Sequence, residues 1–319
     1  MTVSQRSIDI HAHYVPRAVS NDDVVQIGRL TSRPIPPGLV QLDERLEQMD
    51  TQRVGVQVLS GWTELLAYDL PVDVAADFAE EHNVAVAAAQ ADHPGRFLGL
   101  ATVPLQDPVR AADVLARAMG LGLVGAQIGT HVAGSNLDNP ALEPFWTAAE
   151  ELGAFLLIHP AQEQVAGRER LRKYYFENLL GNPFETAVAG ASLIFGGVLQ
   201  QHPSLRVCLA HGGGFLPYQI GRLVQGQAAG RTAAARLDEA VEASFGRLYF
   251  DSILHSPANL RHLVSLVGAD HVLLGSDYPF DMGEADPLGA VESLGLGAQA
   301  VSLIAGVNAQ RLLRPQGVL

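Results

Sequence analysis

The chain has 319 residues, of which 48% are hydrophobic and 17% are charged, so its composition is that of a globular protein with a large core. An excess of 34 acidic over 21 basic residues gives a net charge of −13, and such a surface repels phosphate backbones, which disfavours nucleic acid as a partner. The single cysteine, Cys208, excludes an intrachain disulfide and suits a cytoplasmic protein. No stretch is apolar enough to predict a signal peptide or a membrane span.

Short aliphatic runs that end at turn signals predict eight β-strands, and helical patterns separate them along the chain. The predicted strands are Ser7–His11, Val54–Ser60, Phe97–Val103, Leu123–Gly129, Ala154–His159, Arg206–His211, Arg247–Asp251 and His271–Asp277. Helices are predicted at Gln41–Asp50, Val72–Asp92, Pro108–Gly120, Asn139–Leu152, Glu185–His202, Ala233–Ala243 and Pro257–Val267. Strand and helix alternating eight times predict an α/β fold of the (β/α)8 TIM barrel type, with an open doubly wound sheet as the alternative.

Two segments exceed what a plain barrel of about 250 residues needs. The first is the proline-containing stretch Tyr14–Val40 after strand one, and the second is Ala161–Pro183 after strand five. Both follow the carboxyl ends of strands, where barrel enzymes form their active sites, so we expect short insertions that act as lids or substrate walls. No linker or internal repeat divides the sequence, which indicates a single domain over residues 1–319.

Side chains that bind metals stand at the ends of four predicted strands. His11 and His13 are two residues apart, so they point to the same side of the first strand. His159 ends the fifth strand, His211 the sixth and Asp277 the eighth. The strand ends of a barrel meet at one mouth, and burying these groups there costs free energy unless a metal or a partner satisfies them. Imidazole and carboxylate are suitable ligands for Zn²⁺ or a similar ion, so the five residues together predict a metal site.

The sequence favours one metal ion over two. Some related barrels bridge two metal ions with a carbamylated lysine on strand four, but the single lysine of this chain, Lys173, lies in the second insertion. Strand four ends instead in Gln127–Gly129. A mononuclear site would keep an open coordination position for water or substrate.

Motifs along nearly the whole chain carry a family resemblance. They are Ile8–His13, Met49–Asp50, Gly55–Ser60, Gly125–Val132, His159–Pro160, Ala210–Gly214, Gly221–Arg222 and Gly275–Phe280. In these motifs the chain resembles the amidohydrolase superfamily, and within it the aminocarboxymuconate-semialdehyde decarboxylase-like branch. The resemblance implies that His11, His13, His159 and Asp277 bind one divalent metal ion. Zinc is expected first, and manganese, iron or cobalt share the same ligands.

The resemblance also implies roles around the metal. His211 is the implied catalytic acid/base, and Asp277 shares the proton transfer. Arg222 is the implied anchor for the substrate carboxylate, contributed across the interface of a homodimer. From spacing alone, Arg222 would be a surface arginine. Counting back from Met49–Asp50 makes Arg33 a second candidate for substrate binding.

Two positions depart from the family pattern. Asn178 stands where the family decarboxylase has tryptophan, and Asp281 stands where it has proline. We therefore expect a substrate wall that differs from that of the family decarboxylase.

Three functions remain open at this stage. The first is non-oxidative decarboxylation of a small unsaturated or aromatic carboxylic acid, in which the metal stabilises negative charge and His211 relays a proton. The alternative is metal-assisted hydrolysis of a lactone, amide or related bond, because one site can serve either chemistry. A metal-binding protein without activity would lack an acid/base, and the presence of His211 and Asp277 argues against it.

Overall fold

A computed structural model describes residues 6–21, 24–27, 31–36, 38–161, 164–232 and 235–313. Eight parallel strands follow one another in chain order around a barrel. They are β1 Ile8–His13, β2 Val56–Ser60, β3 Phe97–Ala101, β4 Gly125–Ile128, β5 Phe155–Ile158, β6 Arg206–Leu209, β7 Tyr249–Asp251 and β8 Val272–Leu273. The Ile10 amide donates to the Leu274 carbonyl at 2.9 Å and closes the last strand against the first. The predicted TIM barrel and its eight strands are confirmed, which excludes the open sheet.

In the described part of the chain, each of the first seven strands is followed by one main helix. These helices are α1 Leu42–Thr51, α2 Val72–Asp92, α3 Pro108–Gly120, α4 Glu143–Glu151, α5 Asn182–Phe195, α6 Leu216–Ala228 and α7 Pro257–Val267. After β8, the chain forms the short helices Pro287–Glu292, Ala298–Ser302 and Asn308–Leu313, with a π-helical turn at Leu303–Val307. Local chemistry explains typical starts: Asp107 caps α3 by accepting the amide hydrogen of Arg110, and Pro108 occupies the first helical position. No described helix has the length and apolar character needed to cross a membrane.

Helical predictions failed at two places. The predicted helix Ala233–Ala243 is wrong in its described part, where the only helix is Val241–Phe245; residues 233–234 lie outside the described residues. The amides of Asp238 and Glu239 donate to the Gln200 side chain, so they are not available for helical hydrogen bonds. The predicted helix Glu185–His202 is interrupted after α5.

Two hydrophobic clusters build the barrel. The larger one packs strand residues such as Leu156 and Leu209 against the surrounding helices. A second cluster contains the alternate strand residues, among them Leu157 and Cys208, and the C-terminal helix adds Leu312 to it. This packing fixes the strand ends from which the polar side chains project.

The two insertions have different structures. The first contains a small antiparallel sheet of Ser20–Asn21, Val24–Ile27 and Thr31–Pro34, and its buried side chains pack with Phe78 of α2. The second contains the short helix Arg168–Leu171 and a π-helical turn, Glu177–Gly181, that leads into α5. The second insertion reaches the barrel mouth, where it forms a wall of the site.

Candidate active site

The five metal-binding side chains predicted from the sequence meet at the carboxyl end of the barrel. The Nε2 atoms of His11 and His13 are 3.2 Å apart. The Oδ1 atom of Asp277 lies 3.1 Å from Nε2 of His13 and 3.4 Å from Nε2 of His11. The ring of His159 is 4.8 Å from the ring of His11 and 4.8 Å from that of His211, between centroids. One ligand atom each of His11, His159, His211 and Asp277 lies within 4.8 Å of the others.

The three buried histidines turn their Nε2 atoms toward a common point because acceptors hold their Nδ1 atoms. Nδ1 of His11 lies 2.7 Å from Asp251 Oδ2, and Nδ1 of His13 lies 2.9 Å from the Gly61 carbonyl. Nδ1 of His159 lies 2.7 Å from the Pro160 carbonyl. With Nδ1–H in each ring, a neutral imidazole carries its lone pair on Nε2, which is the tautomer that a metal ligand needs. His11, whose charged form Asp277 and Asp251 favour, would release a proton when a metal binds.

Two buried polar atoms of the cluster lack hydrogen-bond partners in the described part of the chain and bear on whether these residues fit a metal ion. Nε2 of His159 and Oδ1 of Asp277 are buried and have no hydrogen-bond partner among the described residues. Such groups cost free energy when buried unless something binds them. Three imidazoles and one carboxylate with lone pairs on a common point suit one divalent metal ion. The cluster therefore fits a mononuclear centre.

The electrostatics of the cluster follow from burial and from the carboxylates. Burial alone would lower the pKa of His11, but Asp277 and Asp251 raise it to about 10. Burial lowers the pKa of His13, and burial with the nearby imidazoles holds the pKa of His159 well below its ordinary value. Burial would raise the pKa of Asp277, yet the charge on His11 keeps it well below the ordinary value. The carboxylate is thus ionised and the His159 lone pair is free.

His211 differs from the other histidines of the cluster. Its side chain is 17% exposed, whereas those of His11 and His13 are fully buried. Its Nε2 lies 3.6 Å from Asp277 Oδ2, and its Nδ1 has no partner in the described structure. His211 therefore faces both the carboxylate and the open mouth, as an acid/base for a bound molecule must.

Both His211 and Asp277 adopt left-handed backbone conformations, with φ of 55° and 59°. This region is unfavourable for residues with a Cβ and is concentrated at functional sites. The His211 amide donates to Asp251 Oδ2 at 2.9 Å, and the Asp277 amide donates to the His11 carbonyl at 2.8 Å. These hydrogen bonds stabilise the turns that aim both side chains into the mouth.

Asp251 is a site residue that the sequence reasoning missed. It ends β7 and is fully buried. Besides His11 and His211, it accepts hydrogen bonds from the amides of Gly212 and Ile253, at 2.8 and 3.1 Å. Its position at a strand end was the same signal that identified Asp277, so the sequence did contain it.

A small cavity of about 100 Å³ opens over the cluster. Its walls are Trp62, Thr63, Glu64, His159, Pro160, Tyr175, Asn178, Asn182, His211, Asp277, Phe280, Asp281 and Met282. The second insertion supplies Tyr175, Asn178 and Asn182 to these walls, whereas the first supplies no described residue. This volume suits a small molecule, since drug-sized ligands occupy clefts of about 300 Å³ or more.

The two predicted substrate arginines are not in this cavity as far as the described residues define it. Arg222 is exposed on α6, in the middle of the helix. Arg33 lies in the last strand of the small sheet, opposite Val25, and its side chain is outside the described residues.

Comparison with known proteins places this arrangement in a family. A family model described as amidohydrolase matches residues 8–314, which is nearly the entire chain. The chain belongs to the amidohydrolase family. The amidohydrolase assignment agrees with the barrel and with the histidines at its strand ends.

Named relatives of this amidohydrolase are decarboxylases. It is 38% identical, over 79% of its length and 70% of the relative's, to 2-amino-3-carboxymuconate-6-semialdehyde decarboxylase of Dictyostelium discoideum. Among solved structures, 5-carboxyvanillate decarboxylase of Sphingomonas paucimobilis has a TM-score of 0.85 at 24% identity, covering 98% of this chain and 100% of that one. The Novosphingobium aromaticivorans 5-carboxyvanillate decarboxylase, complexed with manganese and a nitrobenzoic acid, has a TM-score of 0.84 at 23% identity, covering 98% and 96%. At these identities the two structures confirm the fold of this amidohydrolase.

Asn178 and Asp281, the positions that depart from the family pattern, both line the cavity. Asp281 is exposed at the mouth, and together with Asp277 and Glu64 it raises the pKa of Tyr175, after the larger effect of burial. The outer wall of this amidohydrolase is therefore polar and acidic at these two positions.

Proposed function

We propose that this protein is a metal-dependent, non-oxidative decarboxylase of a small unsaturated or aromatic carboxylic acid. The observation that carries the proposal is the pair of buried lone-pair atoms, His159 Nε2 and Asp277 Oδ1, that have no hydrogen-bond partner in the described structure and lie beneath a small cavity. The relatives support the reaction type, because they include 2-amino-3-carboxymuconate-6-semialdehyde decarboxylase and gamma-resorcylate decarboxylase.

His11, His13, His159 and Asp277 are the proposed metal ligands. Their Nε2 and Oδ1 atoms share one point, and Nδ1 of each histidine is held by an acceptor. When bound, the metal supplies electrostatic stabilisation of negative charge that develops on the substrate. Zinc is the proposed ion because it favours imidazole and carboxylate in sites with an open position. Manganese, seen in a related structure, is the first alternative.

His211 is the proposed acid/base. In decarboxylation, the bond between the carboxylate and the ring or alkene carbon breaks, carbon dioxide leaves, and the electron pair stays on that carbon. A proton must then reach the carbon, and His211 is placed to donate it because its ring faces the cavity. Asp277 Oδ2 lies 3.6 Å from Nε2 of His211, so the carboxylate is close enough to share the proton transfer.

Hydrolysis of a lactone or amide is the alternative for the same residues. His211 or Asp277 would then act as the base that activates water. The named relatives favour carbon dioxide loss. Ring opening without carbon loss would identify the hydrolase.

Arg222 and Arg33 are the proposed anchors for the substrate carboxylate, since a guanidinium binds carboxylates bidentately. Arg222 reaches a site only across a homodimer in this proposal, because it is exposed on α6. An exposed apolar patch beside α6 supports such an interface. The patch consists of Tyr174, Leu179, Leu180, Phe184 and Phe215, and the rings of its last two members lie 6.2 Å apart.

Charge and cysteine content bear on the partners and the compartment. A net charge of −13 supports a small molecule rather than nucleic acid as the ligand. The single thiol, on Cys208, is buried in the barrel, which suits the reducing cytoplasm that we propose.

Elemental analysis followed by a carbon dioxide assay tests the proposal. Wild-type protein is expected to hold about one equivalent of transition metal, and the His11→Ala/His13→Ala variant none. A panel of unsaturated and aromatic carboxylic acids is then screened for carbon dioxide release. His211→Ala is expected to keep the metal and to lose roughly 10²-fold or more in turnover. Metal loss in this variant would make His211 a ligand instead, and wild-type protein without metal after reconstitution would refute the proposal.

A further inference from the structure

Helix α1 buries one charged side chain completely. Arg45 has no exposed surface, whereas Asp43, Glu44 and Glu47 of the same helix are exposed. Taking a guanidinium out of water costs free energy unless hydrogen bonds and opposite charge offset it. Nε of Arg45 has no partner among the described residues, so the burial is not fully compensated. Because its burial costs free energy, Arg45 is expected to have a structural or functional role.

Arg45 contacts the two chain segments that carry the proposed ligands. Its Nη2 donates to the carbonyl of His13 at 2.6 Å. Its guanidinium lies over the ring of Tyr278, the residue after Asp277, at 4.6 Å from the ring centroid. The amide of His13 donates to the Tyr278 carbonyl at 2.7 Å, so Arg45 lies where the two segments hydrogen-bond to each other.

A buried chain of hydrogen bonds links Arg45 to its counter-charge. Nη1 of Arg45 donates to Oε1 of Gln57 at 2.9 Å, and Nε2 of Gln57 donates to Asp9 at 2.8 Å. Asp9 also accepts the hydroxyl of Ser276 at 2.5 Å and the amide of His11 at 3.1 Å. These hydrogen bonds therefore connect the His13 carbonyl, through Arg45, Gln57 and Asp9, to Ser276 and to the His11 amide.

We propose that Arg45 is a positioning residue for the metal centre, which it serves by fixing the backbone of His13 to that of Tyr278. This inference rests on the proposed ligand set. Arg45 does not bind the ion; it contacts the backbone of His13 and the ring of Tyr278, next to Asp277. A lysine has one ammonium group and cannot bond the His13 carbonyl, reach Gln57 and cover the Tyr278 ring in the same way. Methionine keeps much of the volume but makes none of the polar contacts.

Manganese binding by Arg45→Met and Arg45→Lys tests this role. Affinity is measured by competition with a chelator, and ligand geometry by the electron paramagnetic resonance spectrum of bound Mn²⁺. We expect about 10- to 100-fold weaker binding and an altered spectrum in Arg45→Met, with Arg45→Lys intermediate. Arg206→Met is the matched control. Arg206 also donates to buried carbonyls, of Gly153 and Leu312, but at the opposite end of the barrel.

The control separates positioning from general stability. Arg206→Met is expected to lower the thermal midpoint of the metal-free protein while keeping the wild-type affinity and spectrum. If Arg45→Met does not fold, Arg45→Lys alone decides the question. Wild-type affinity and spectrum in the folded Arg45 variant would overturn the role of Arg45 and leave the proposed function intact. Weaker Mn²⁺ binding by the Arg45 variants, together with no carbon dioxide release by the wild-type protein, would support the positioning role of Arg45 and refute the proposed decarboxylase.

Discussion

Oδ2 of Asp251 accepts the Nδ1 hydrogen of His11 at 2.7 Å, and the same oxygen accepts the backbone amide of His211 at 2.9 Å. One carboxylate thus orients a proposed metal ligand and places the proposed acid/base. A carboxylate behind a ligating histidine fixes its tautomer and makes Nε2 a stronger donor to the metal.

Asp251→Asn is expected to weaken metal binding about 10- to 100-fold, because the neutral amide no longer supports His11. Affinity is measured by chelator competition on folded protein. Asp107→Asn is the control, since Asp107 caps α3 and asparagine caps helices equally well. Equal affinity in Asp251→Asn and wild type would show that the carboxylate does not act on the ligand.

Metal binding is expected to stabilise the fold. An ion that binds only the native state at about 100 times its Kd adds about 2.7 kcal/mol to the free energy of unfolding. His159→Gln removes the unpartnered Nε2 donor and should abolish most of this increment in urea titrations with Mn²⁺. His131→Gln should retain it, because His131 bonds to Gln164 and Gly134 instead. A full increment in His159→Gln would remove His159 from the ligand set.

Acid is expected to destabilise the protein through His82. Burial lowers its pKa from 6.5 to about 4. Because the unfolded chain binds the proton first, stability is complete above pH 6.5 and falls as the pH drops toward 4. At pH 4 the free energy of unfolding is lower by about 3 kcal/mol, because each pKa unit of difference between the folded and unfolded states is worth roughly 1.4 kcal/mol. Urea unfolding of metal-free His82→Leu should show a pH dependence weaker by this amount, while variant His262→Gln, changed at an exposed histidine, should follow wild type.

The proposed dimer is expected to depend on the apolar patch beside α6. Phe184 is 41% exposed, and Phe184→Glu places a charge in the proposed interface. We expect at least a tenfold rise in the dimer Kd by sedimentation equilibrium, because buried aromatic anchors carry much of an interface's binding energy. Val84, 57% exposed on α2, provides the control Val84→Glu. A monomeric wild-type protein, or a dimer indifferent to Phe184→Glu, would contradict this interface.

The barrel was readable from sequence because its strands are continuous apolar runs that end at turns. The site was readable for a related reason: His159 and Asp277 are polar where such a run stops, and strand ends share one mouth. Strand limits were less exact. The eighth strand was predicted to reach Asp277, but only Val272–Leu273 is a strand, because the following residues turn to hydrogen-bond with β1.

Other features depended on partners far along the chain. The predicted helix Ala233–Ala243 failed because the side chain of Gln200 takes the amides of Asp238 and Glu239, which no local pattern indicates. Arg45 looked like any charged residue of an amphipathic helix, and its burial depends on His13 and Tyr278. A role for Arg222 depends on a second chain and stays a prediction.

The contact between β8 and β1 determines when the proposed metal site can form during synthesis. His11 and Asp277 are 266 residues apart in the sequence. The Asp277 amide donates to the His11 carbonyl, and this hydrogen bond positions the carboxylate that we propose as a ligand. During synthesis His11 and His13 cannot meet Asp277 until Asp277 has left the ribosome. A nascent or truncated chain therefore cannot present the complete ligand set, and full metal occupancy certifies that the barrel has closed.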